Sequence, residues 1–78
     1  MAADKTLDAR SLACPMPLLK TRQALRGMAA GQTLEVIASD PGSWRDIPAY
    51  VGQSGHQLVQ QQEHSGEYHF LIISGGEH

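Results

Sequence analysis

The sequence contains only one cysteine, Cys14, and this scarcity excludes several kinds of protein. A single thiol cannot form an internal disulfide, so the chain lacks the cross-linked framework of small secreted domains. It also lacks the second thiol of a thioredoxin-like oxidoreductase. No pair of cysteine and histidine residues has the close spacing of a metal site, and we expect neither a metal nor another cofactor.

Long apolar runs are missing as well. The N-terminal residues 1–5 lack the apolar stretch of a signal peptide. No segment approaches the roughly 20 apolar residues that span a bilayer as a helix. Together with the absence of a disulfide framework, these features predict a cytoplasmic protein in a reducing compartment, without a membrane partner.

The chain has 78 residues, which is enough for one domain with a modest core. A chain of this length buries only about 60% of the surface that its unfolded form exposes. We interpret residues 1–78 as a single domain with a structured core at about residues 6–74. So small a domain has no room for a buried catalytic triad with its supporting residues, and any chemistry is expected near the surface.

Charge is low and unevenly distributed. The net charge of −2 disfavours direct binding of nucleic acid, which needs a basic face to neutralise phosphates. Between Ala9 and Leu34 every charged residue is basic, so this segment carries +4 and the remainder of the chain −6. Cys14 lies within this basic segment, whose charged members are Arg10, Lys20, Arg22 and Arg26.

A first helix is predicted directly after the cysteine. Apolar residues recur at helical spacing over 15–29. Proline is favoured at the first position of a helix, which makes Pro15 the first helical residue and Cys14 the N-cap. Gly31 follows the last periodic residue and is expected to end the helix.

A second, shorter helix is predicted after a turn at residues 40–43. Ser43 and Asp46 have the spacing of a capping box, with Asp in place of the usual Glu. We place Pro48 in the first turn, because a proline in a helix interior removes a backbone hydrogen bond. Gly55 is expected to end this helix.

Apolar patterns predict four strands, at 6–8, 33–39, 58–63 and 68–74, and a tight hairpin at Ser65-Gly66 joins the last two. The order of elements is therefore β-α-β-α-β-β. Right-handed crossovers put both helices on the same side of the sheet. We predict an α/β two-layer sandwich with a four-stranded mixed sheet and two helices on one face.

The position of Cys14 before a helix favours a reactive thiol over the inert, buried cysteine that is common in protein cores. The positive end of the helix dipole and the nearby basic residues are expected to lower the pKa of the thiol. Pro15 and Pro17 have no N–H, so the Met16 N–H is the expected donor to the sulfur. The two prolines also stiffen the turn, which reduces the entropy lost on docking.

No second group is predicted to complete a catalytic site around this thiol. A hydrolytic nucleophile needs a base that a third group orients. The four histidines are distant in sequence, and we interpret them as surface or strand residues: His56, His64, His69 and His78. A nucleophilic sulfur without a base fits group transfer. A redox-sensing or regulatory protein-binding module stays open, because a thiol of low pKa also suits a sensor.

The segment around Cys14 resembles the Cys-Pro-x-Pro signature of the TusA/SirA-type sulfur carriers. The resemblance covers almost the whole chain, from Leu7 to near Gly75, and includes the block from Asp40 to Pro48 in register. It implies the same β-α-β-α-β-β sandwich. It also implies a sulfurtransferase that acts as a protein carrier rather than as a stand-alone catalyst.

The resemblance assigns Cys14 as the site of a persulfide. Proteins of this family accept sulfane sulfur from a cysteine desulfurase or a rhodanese and pass it to an acceptor sulfur-relay protein. The implied destinations are tRNA wobble-uridine thiolation, delivery to molybdoenzyme cofactors, or sulfur oxidation. We expect a monomer that forms transient complexes during transfer.

Partner-binding residues are implied by the same resemblance. Arg22 and Asp40 match positions that help such proteins to dock to the desulfurase, although the Arg22 stem could instead cover the core. Met16 stands where the tRNA-thiolating type carries Glu, which alters the electrostatics towards partners. Arg45 is a further candidate, with an exposed ion pair to Asp46 as the alternative.

Three other features were interpreted structurally. Ser11 stands where the family commonly has Gly, so the turn before the cysteine is expected to differ. Trp44 is expected to pack against Ile47 and Tyr50. Gly75-Gly76 is similar to the end of ubiquitin-like carriers, but further residues follow it, and we interpret it as a flexible tail.

Overall fold

The computed structural model describes residues 3–76, which form one four-stranded sheet and two helices. The elements are β1 (Lys5–Ala9), α1 (Met16–Arg26), β2 (Thr33–Ala38), α2 (Ser43–Gly52), β3 (Gln57–His64) and β4 (Glu67–Ile73). This order confirms the predicted β-α-β-α-β-β arrangement. Among the described residues, no helix is long and apolar enough to cross a membrane.

The sheet has the strand order β1-β2-β4-β3 and mixed directions. β1 and β2 run parallel, and β4 lies antiparallel between β2 and β3. Parallel strands need a crossover connection, which α1 provides between β1 and β2. α2 provides the second crossover, from β2 to the edge strand β3. The mixed sheet and its two helices confirm the predicted sandwich.

The core lies between one face of the sheet and the two helices. Side chains alternate between the faces of a strand, so β2 and the end of β4 show buried and half-buried residues in turn. Each large apolar side chain buried in this way contributes about 1.5–3 kcal/mol. The buried apolar residues are Ala9, Leu25, Met28, Leu34, Val36, Ala38, Ile47, Val51, Phe70 and Ile72.

α1 is shorter than the predicted helix 15–29. Gly27 takes the C-cap position, where its N–H bonds to carbonyls of the last turn. Met28 is buried although it follows the helix, which explains why the apolar periodicity continued past the helix end. Gly31 lies in the next turn, with a φ of 90°, and its N–H donates to the carbonyl of Ser74 at 2.8 Å.

The start of α2 differs from the prediction. The capping box predicted at Ser43 and Asp46 is wrong, because Gly42 is the N-cap and no side chain within residues 3–76 caps this helix. The placement of Pro48 in the first turn is also wrong, since Pro48 lies inside the helix. The helix ends at Gly52 rather than at Gly55.

A side chain from β3 compensates for the proline inside α2. Pro48 has no N–H to donate to the carbonyl of Trp44, four residues earlier. Gln61 supplies the missing donor, since its Nε2 lies 2.9 Å from the Trp44 carbonyl oxygen. The interior proline is therefore accommodated by a contact between elements that are distant in sequence.

β3 carries a bulge at Val59. The ladder pairs Leu58 with Ile72 and Gln60 with Leu71, which leaves Val59 as an extra residue. Its side chain is 46% exposed. A bulge in an edge strand interrupts the regular backbone that another strand could pair with.

The turn between β3 and β4 is the predicted hairpin. Ser65 and Gly66 have φ values of 50° and 84°. Two successive positive φ values are typical of a type I′ turn, whose twist matches that of paired strands. The predicted hairpin at Ser65-Gly66 is confirmed.

The Gly75-Gly76 segment packs against the protein, contrary to the prediction of a flexible tail. The Gly75 N–H donates to Nδ1 of His56 at 3.0 Å. A Cβ at Gly75 would overlap the carbonyl of Gly55, so only glycine fits this close approach. Residues 77–78 lie outside the described part of the chain.

Candidate functional site

Cys14 lies in the loop between β1 and α1, and its side chain is exposed. Ser11 lies in the turn at the start of this loop, and its φ of 70° is in the left-handed region that favours glycine. The Ser11 N–H donates to Oγ of Ser39 at 2.9 Å, which ties the loop to the end of β2. Serine at this position therefore keeps a turn of the kind that glycine adopts easily.

The predicted N-cap role of Cys14 is wrong. Pro15 is the N-cap, the Cys14–Pro15 peptide bond is cis, and α1 begins at Met16. The Met16 N–H was the predicted donor to the sulfur, but it donates to the carbonyl of Ala13 at 2.8 Å. Pro17 is buried, and anchors the first turn of α1 to the core. The sulfur thus lies one residue farther from the helix than predicted.

A carboxylate of α2 is the hydrogen-bond partner of the sulfur. Cys14 Sγ donates to Oδ2 of Asp46 at 3.1 Å. Gly42 lies next to the cysteine, since a Cβ there would be in ordinary van der Waals contact with the Cβ of Cys14 at 3.6 Å, but would crowd Oδ2 of Asp40 at 2.8 Å. That same Asp40 oxygen accepts the Gly42 N–H at 3.0 Å and so shapes the turn before α2.

The two carboxylates raise the pKa of the Cys14 thiol above its usual value. The hydrogen bond to Asp46 is the largest cause, because it stabilises the protonated thiol. Partial desolvation and the negative charges of Asp46 and Asp40 act in the same direction. The predicted lowering of the pKa is therefore wrong. That prediction considered only the basic residues near Cys14 in the sequence, whereas the fold brings the carboxylates of residues 40–46 next to the sulfur.

Arg10, a basic residue of the segment from Ala9 to Leu34, is paired away from the sulfur. Arg10 binds Asp8 and Glu67, with nitrogen–oxygen distances of 2.9 Å and 3.2 Å. The Arg10 guanidinium lowers the pKa of Asp8 to about 2. Asp8 lies in β1, and its carboxylate holds the Arg10 side chain in place through two hydrogen bonds.

Trp44 and Arg45 lie beside the site, on the first turn of α2. The Trp44 ring is 5.7 Å from that of Tyr68 and 6.2 Å from that of Phe70. It therefore packs on β4, whereas the sequence placed it against the other apolar residues of α2. A shallow groove of about 330 Å³ includes Asp46, the hydrogen-bond partner of the sulfur. Its lining residues are Pro41, Gly42, Trp44, Arg45 and Asp46.

The candidate partner-binding residues fall into two places. Asp40 and Arg45 belong to the turn and helix beside Cys14, and Met16 follows the cysteine with 39% of its side chain exposed. Arg22 lies farther along α1, where its guanidinium is 5.6 Å from the centroid of the Tyr50 ring.

The described histidines have partners away from the sulfur. Nδ1 of His56 accepts from Gly75, His64 is bonded to Gln62, and His69 lies between Glu35 and Glu67. His78 lies outside the described residues. Within residues 3–76, no group of three or more His, Cys, Asp or Glu side chains is arranged to hold a metal ion.

Asp46 is the functional candidate whose role the sequence did not reveal. It was assigned a capping role, but its carboxylate touches the reactive sulfur. The sequence feature that could have indicated this role was the block from Asp40 to Pro48, because it contains both carboxylates that raise the pKa of Cys14. The site therefore combines an exposed thiol with a carboxylate that accepts a hydrogen bond from it.

Comparison with known proteins finds similar sequences over most of the chain. The family model described as Sulfurtransferase TusA matches residues 5–74. The chain is 46% identical to the sulfur carrier protein TusA of Allochromatium vinosum over 69 residues, which are 88% of this chain and 91% of the relative. It is 41% identical to the putative sulfur carrier protein YrkI of Bacillus subtilis over 75 residues, 96% of this chain and 100% of the relative.

A solved structure shows the same fold. The crystal structure of a SirA-like protein from Desulfitobacterium hafniense superposes with a TM-score of 0.79 at 24% identity. The match covers 91% of this chain and 97% of that chain. Since the family model and the relatives each cover most of the sequence, the chain belongs to the TusA family of sulfurtransferases.

Proposed function

We propose that the protein carries sulfane sulfur as a persulfide on Cys14 and relays it from a donor protein to an acceptor protein. The observation that carries this proposal is the exposed Cys14 thiol, bonded through its sulfur to the Asp46 carboxylate. Family membership supplies the class of chemistry. An exposed nucleophile on a small domain suits a carrier that exchanges sulfur inside a complex with a partner.

The loading step begins with the thiol proton. Since the carboxylates raise the pKa of Cys14, the free carrier holds it mainly as a thiol, whereas the thiolate is the nucleophile. Asp46 accepts the proton as Cys14 attacks the outer sulfur of a donor cysteine persulfide. A sulfur–sulfur bond forms to Cys14, the donor's sulfur–sulfur bond breaks, and the donor cysteine leaves as a thiolate. One sulfur atom moves without an external oxidant or reductant.

The raised pKa also bears on the alternative of a redox sensor. Sensor cysteines are accessible and of low pKa, because oxidants react with the thiolate. Cys14 is accessible, but the pKa of its thiol is raised by Asp46 and Asp40. This combination favours a carrier whose thiol resists oxidation between transfers.

For the donor we propose a cysteine desulfurase or a rhodanese, and for the acceptor a sulfur-relay protein of the tRNA wobble-uridine pathway. Delivery to molybdoenzyme cofactors or sulfur oxidation is the alternative destination. Met16, Asp40 and Arg45 form the proposed docking surface beside the sulfur, and Arg22 extends it along α1. Charges of both signs on this surface would orient a partner and speed its association.

The test is transfer of sulfur to the purified protein. The protein is incubated with a cysteine desulfurase and cysteine, or with a rhodanese and thiosulfate, and its intact mass is measured. We expect a gain of one sulfur atom that is removed by reductant. The matched control is Cys14→Ser, which should gain nothing. No gain with either donor, or the same gain in Cys14→Ser, would contradict the proposal.

A further inference from the structure

A second concave site lies away from Cys14, between the later part of α1 and the end of α2. It is a cleft of about 400 Å³. Arg22 and Arg26 line it from α1, Tyr50 lines it from α2, and residues 53–56 complete it. Cys14 is not among the lining residues, so the cleft is separate from the sulfur site.

The cleft brings two positive charges together without a carboxylate among its lining residues. Arg22 is held over the Tyr50 ring by a cation–π contact, with its guanidinium carbon 5.6 Å from the ring centroid. Arg26 lies in the last turn of α1. Within residues 3–76, neither guanidinium forms an ion pair, so both retain donors for a ligand.

His56 adds a third donor, and this donor has no partner. The His56 side chain is only 7% exposed, and its Nε2 is buried without a hydrogen bond in the described part of the chain. Nδ1 accepts the Gly75 N–H at 3.0 Å, so the proton of the neutral ring lies on Nε2. A buried N–H that lacks an acceptor is costly, by about 1–3 kcal/mol. His56 lines the cleft, so an acceptor that displaces its cover and reaches Nε2 would remove that cost.

We propose that this cleft binds a small tetrahedral oxyanion of phosphorus or sulfur. The Arg22 and Arg26 guanidiniums provide the charge and paired N–H donors that suit such an anion. The Nε2–H of His56 provides the donor that specifies a third oxygen. Tyr50 contacts both Arg22 and His56 and so restricts their positions. Its ring lies beneath the Arg22 guanidinium, and its centroid is 6.1 Å from that of the His56 ring. This binding activity is additional to the proposed sulfur relay at Cys14.

The number of donors favours a tetrahedral anion over a carboxylate. A carboxylate offers two oxygens in one plane, which suits a single guanidinium fork. Donors on two different arginines and on His56 can contact three oxygens of phosphate or sulfate. Phosphate and sulfate are therefore expected to bind more tightly than acetate.

The experiment is a titration of the full chain with inorganic phosphate and with sulfate, at constant ionic strength set by chloride. The ring resonances of His56 are followed by NMR. We expect a saturable shift of these resonances with either tetrahedral anion, and a weaker response to acetate. Removing one charged donor by Arg22→Gln or Arg26→Gln should weaken binding about tenfold.

The matched control is Lys20→Gln, which removes one positive charge from an exposed position of α1 outside the cleft. It should bind phosphate as the unmodified chain does. The proposal is overturned if phosphate and sulfate act no differently from chloride, or if Lys20→Gln weakens binding as much as Arg26→Gln. Equal binding of acetate would overturn the preference for a tetrahedral anion.

Discussion

The two ends of α1 have opposite electrostatic surroundings, although the sequence places them in one basic segment. At the start of the helix, the Cys14 thiol donates a hydrogen bond to the Asp46 carboxylate. The negative charge of Asp40 also raises the pKa of this thiol. Towards the other end, Arg22 and Arg26 line a cleft that has no carboxylate among its lining residues. The difference arises because α2 and the turn before it contribute different side chains at each end.

The comparison shows that the protonation of a thiol is governed by contacts in space. The helix dipole and the neighbouring cations would favour a thiolate. The carboxylates from residues 40–46 act in the opposite direction and raise the pKa of the thiol, chiefly because Asp46 bonds directly to the sulfur. The acidic end of α1 therefore keeps the nucleophile protonated, while the basic end presents donors for an anion.

The largest effect is expected from reversing the charge at the acidic end. In Asp46→Lys, Cys14 loses the acceptor of its proton and gains a nearby cation, so the pKa of the thiol falls. The rate of alkylation by iodoacetamide at neutral pH should rise severalfold, because the thiolate is the reacting form. Asp46→Asn, which removes only the charge, should give a smaller rise.

A charge reversal on a residue that does not contact the sulfur provides the control for that substitution. Glu63 is exposed on β3, and Glu63→Lys changes the net charge by the same amount. Its alkylation rate should match that of the unmodified protein. An equal rise in both variants would mean that net charge, rather than the contact with Asp46, governs the thiol.

A smaller effect is expected in the loop that presents Cys14. Ser11 has a φ of 70°, which costs a residue with a side chain about 1 kcal/mol relative to glycine. Ser11→Gly should therefore raise the free energy of unfolding by up to about 1 kcal/mol, as measured by urea denaturation. Ser54→Gly, two residues after α2, is the control and should not stabilise, because Ser54 has no left-handed φ and its hydroxyl forms hydrogen bonds. A loss of stability in Ser11→Gly would show that its side chain is needed.

A still smaller effect, on the acid dependence of stability, is expected from the ion pair between Asp8 and Arg10. Arg10 belongs to the basic segment. The pKa of Asp8 falls from 3.8 to about 2 on folding, so its stabilising contribution is complete above 3.8 and is lost as the pH falls through about 2. Asp8→Asn should remove this part of the acid dependence of unfolding and leave the remainder. An unchanged acid profile would mean that this exposed pair contributes nothing.

The smallest effect is expected at Cys14 when the basic end is altered. Arg22→Gln and Arg26→Gln should change the alkylation rate of Cys14 by less than about twofold. Both arginines are exposed and lie more than one turn along α1 from its start, and interactions of exposed charges weaken strongly with distance in salt. A clear fall in the rate would show that these arginines favour the thiolate, and that the two ends of α1 are not separate.

Much of the fold could be predicted from local patterns. The alternation in β2 and the turn at Ser65-Gly66 gave the right elements, since both depend on residues adjacent in sequence. The interior position of Pro48 could not be predicted in the same way. It depends on a hydrogen bond from Gln61, thirteen residues later, which no local rule indicates.

The candidate site was predictable only in part. Cys14 could be identified because it is the only cysteine and precedes a helix. Its protonation was predicted with the wrong sign, because the decisive partner, Asp46, comes from the next helix. The third donor of the second cleft, His56, was likewise interpreted as a surface or strand residue, whereas the fold buries its ring beside two arginines.

The most direct measurement is the pH dependence of Cys14 alkylation in the folded protein and in the same protein unfolded by urea. Each profile gives the pKa of the same thiol, with and without the contacts to Asp46 and Asp40. A midpoint at higher pH in the folded protein is the expected result, because those carboxylates stabilise the thiol form. A folded midpoint at or below the unfolded one would contradict a carrier thiol that is kept protonated until its donor docks.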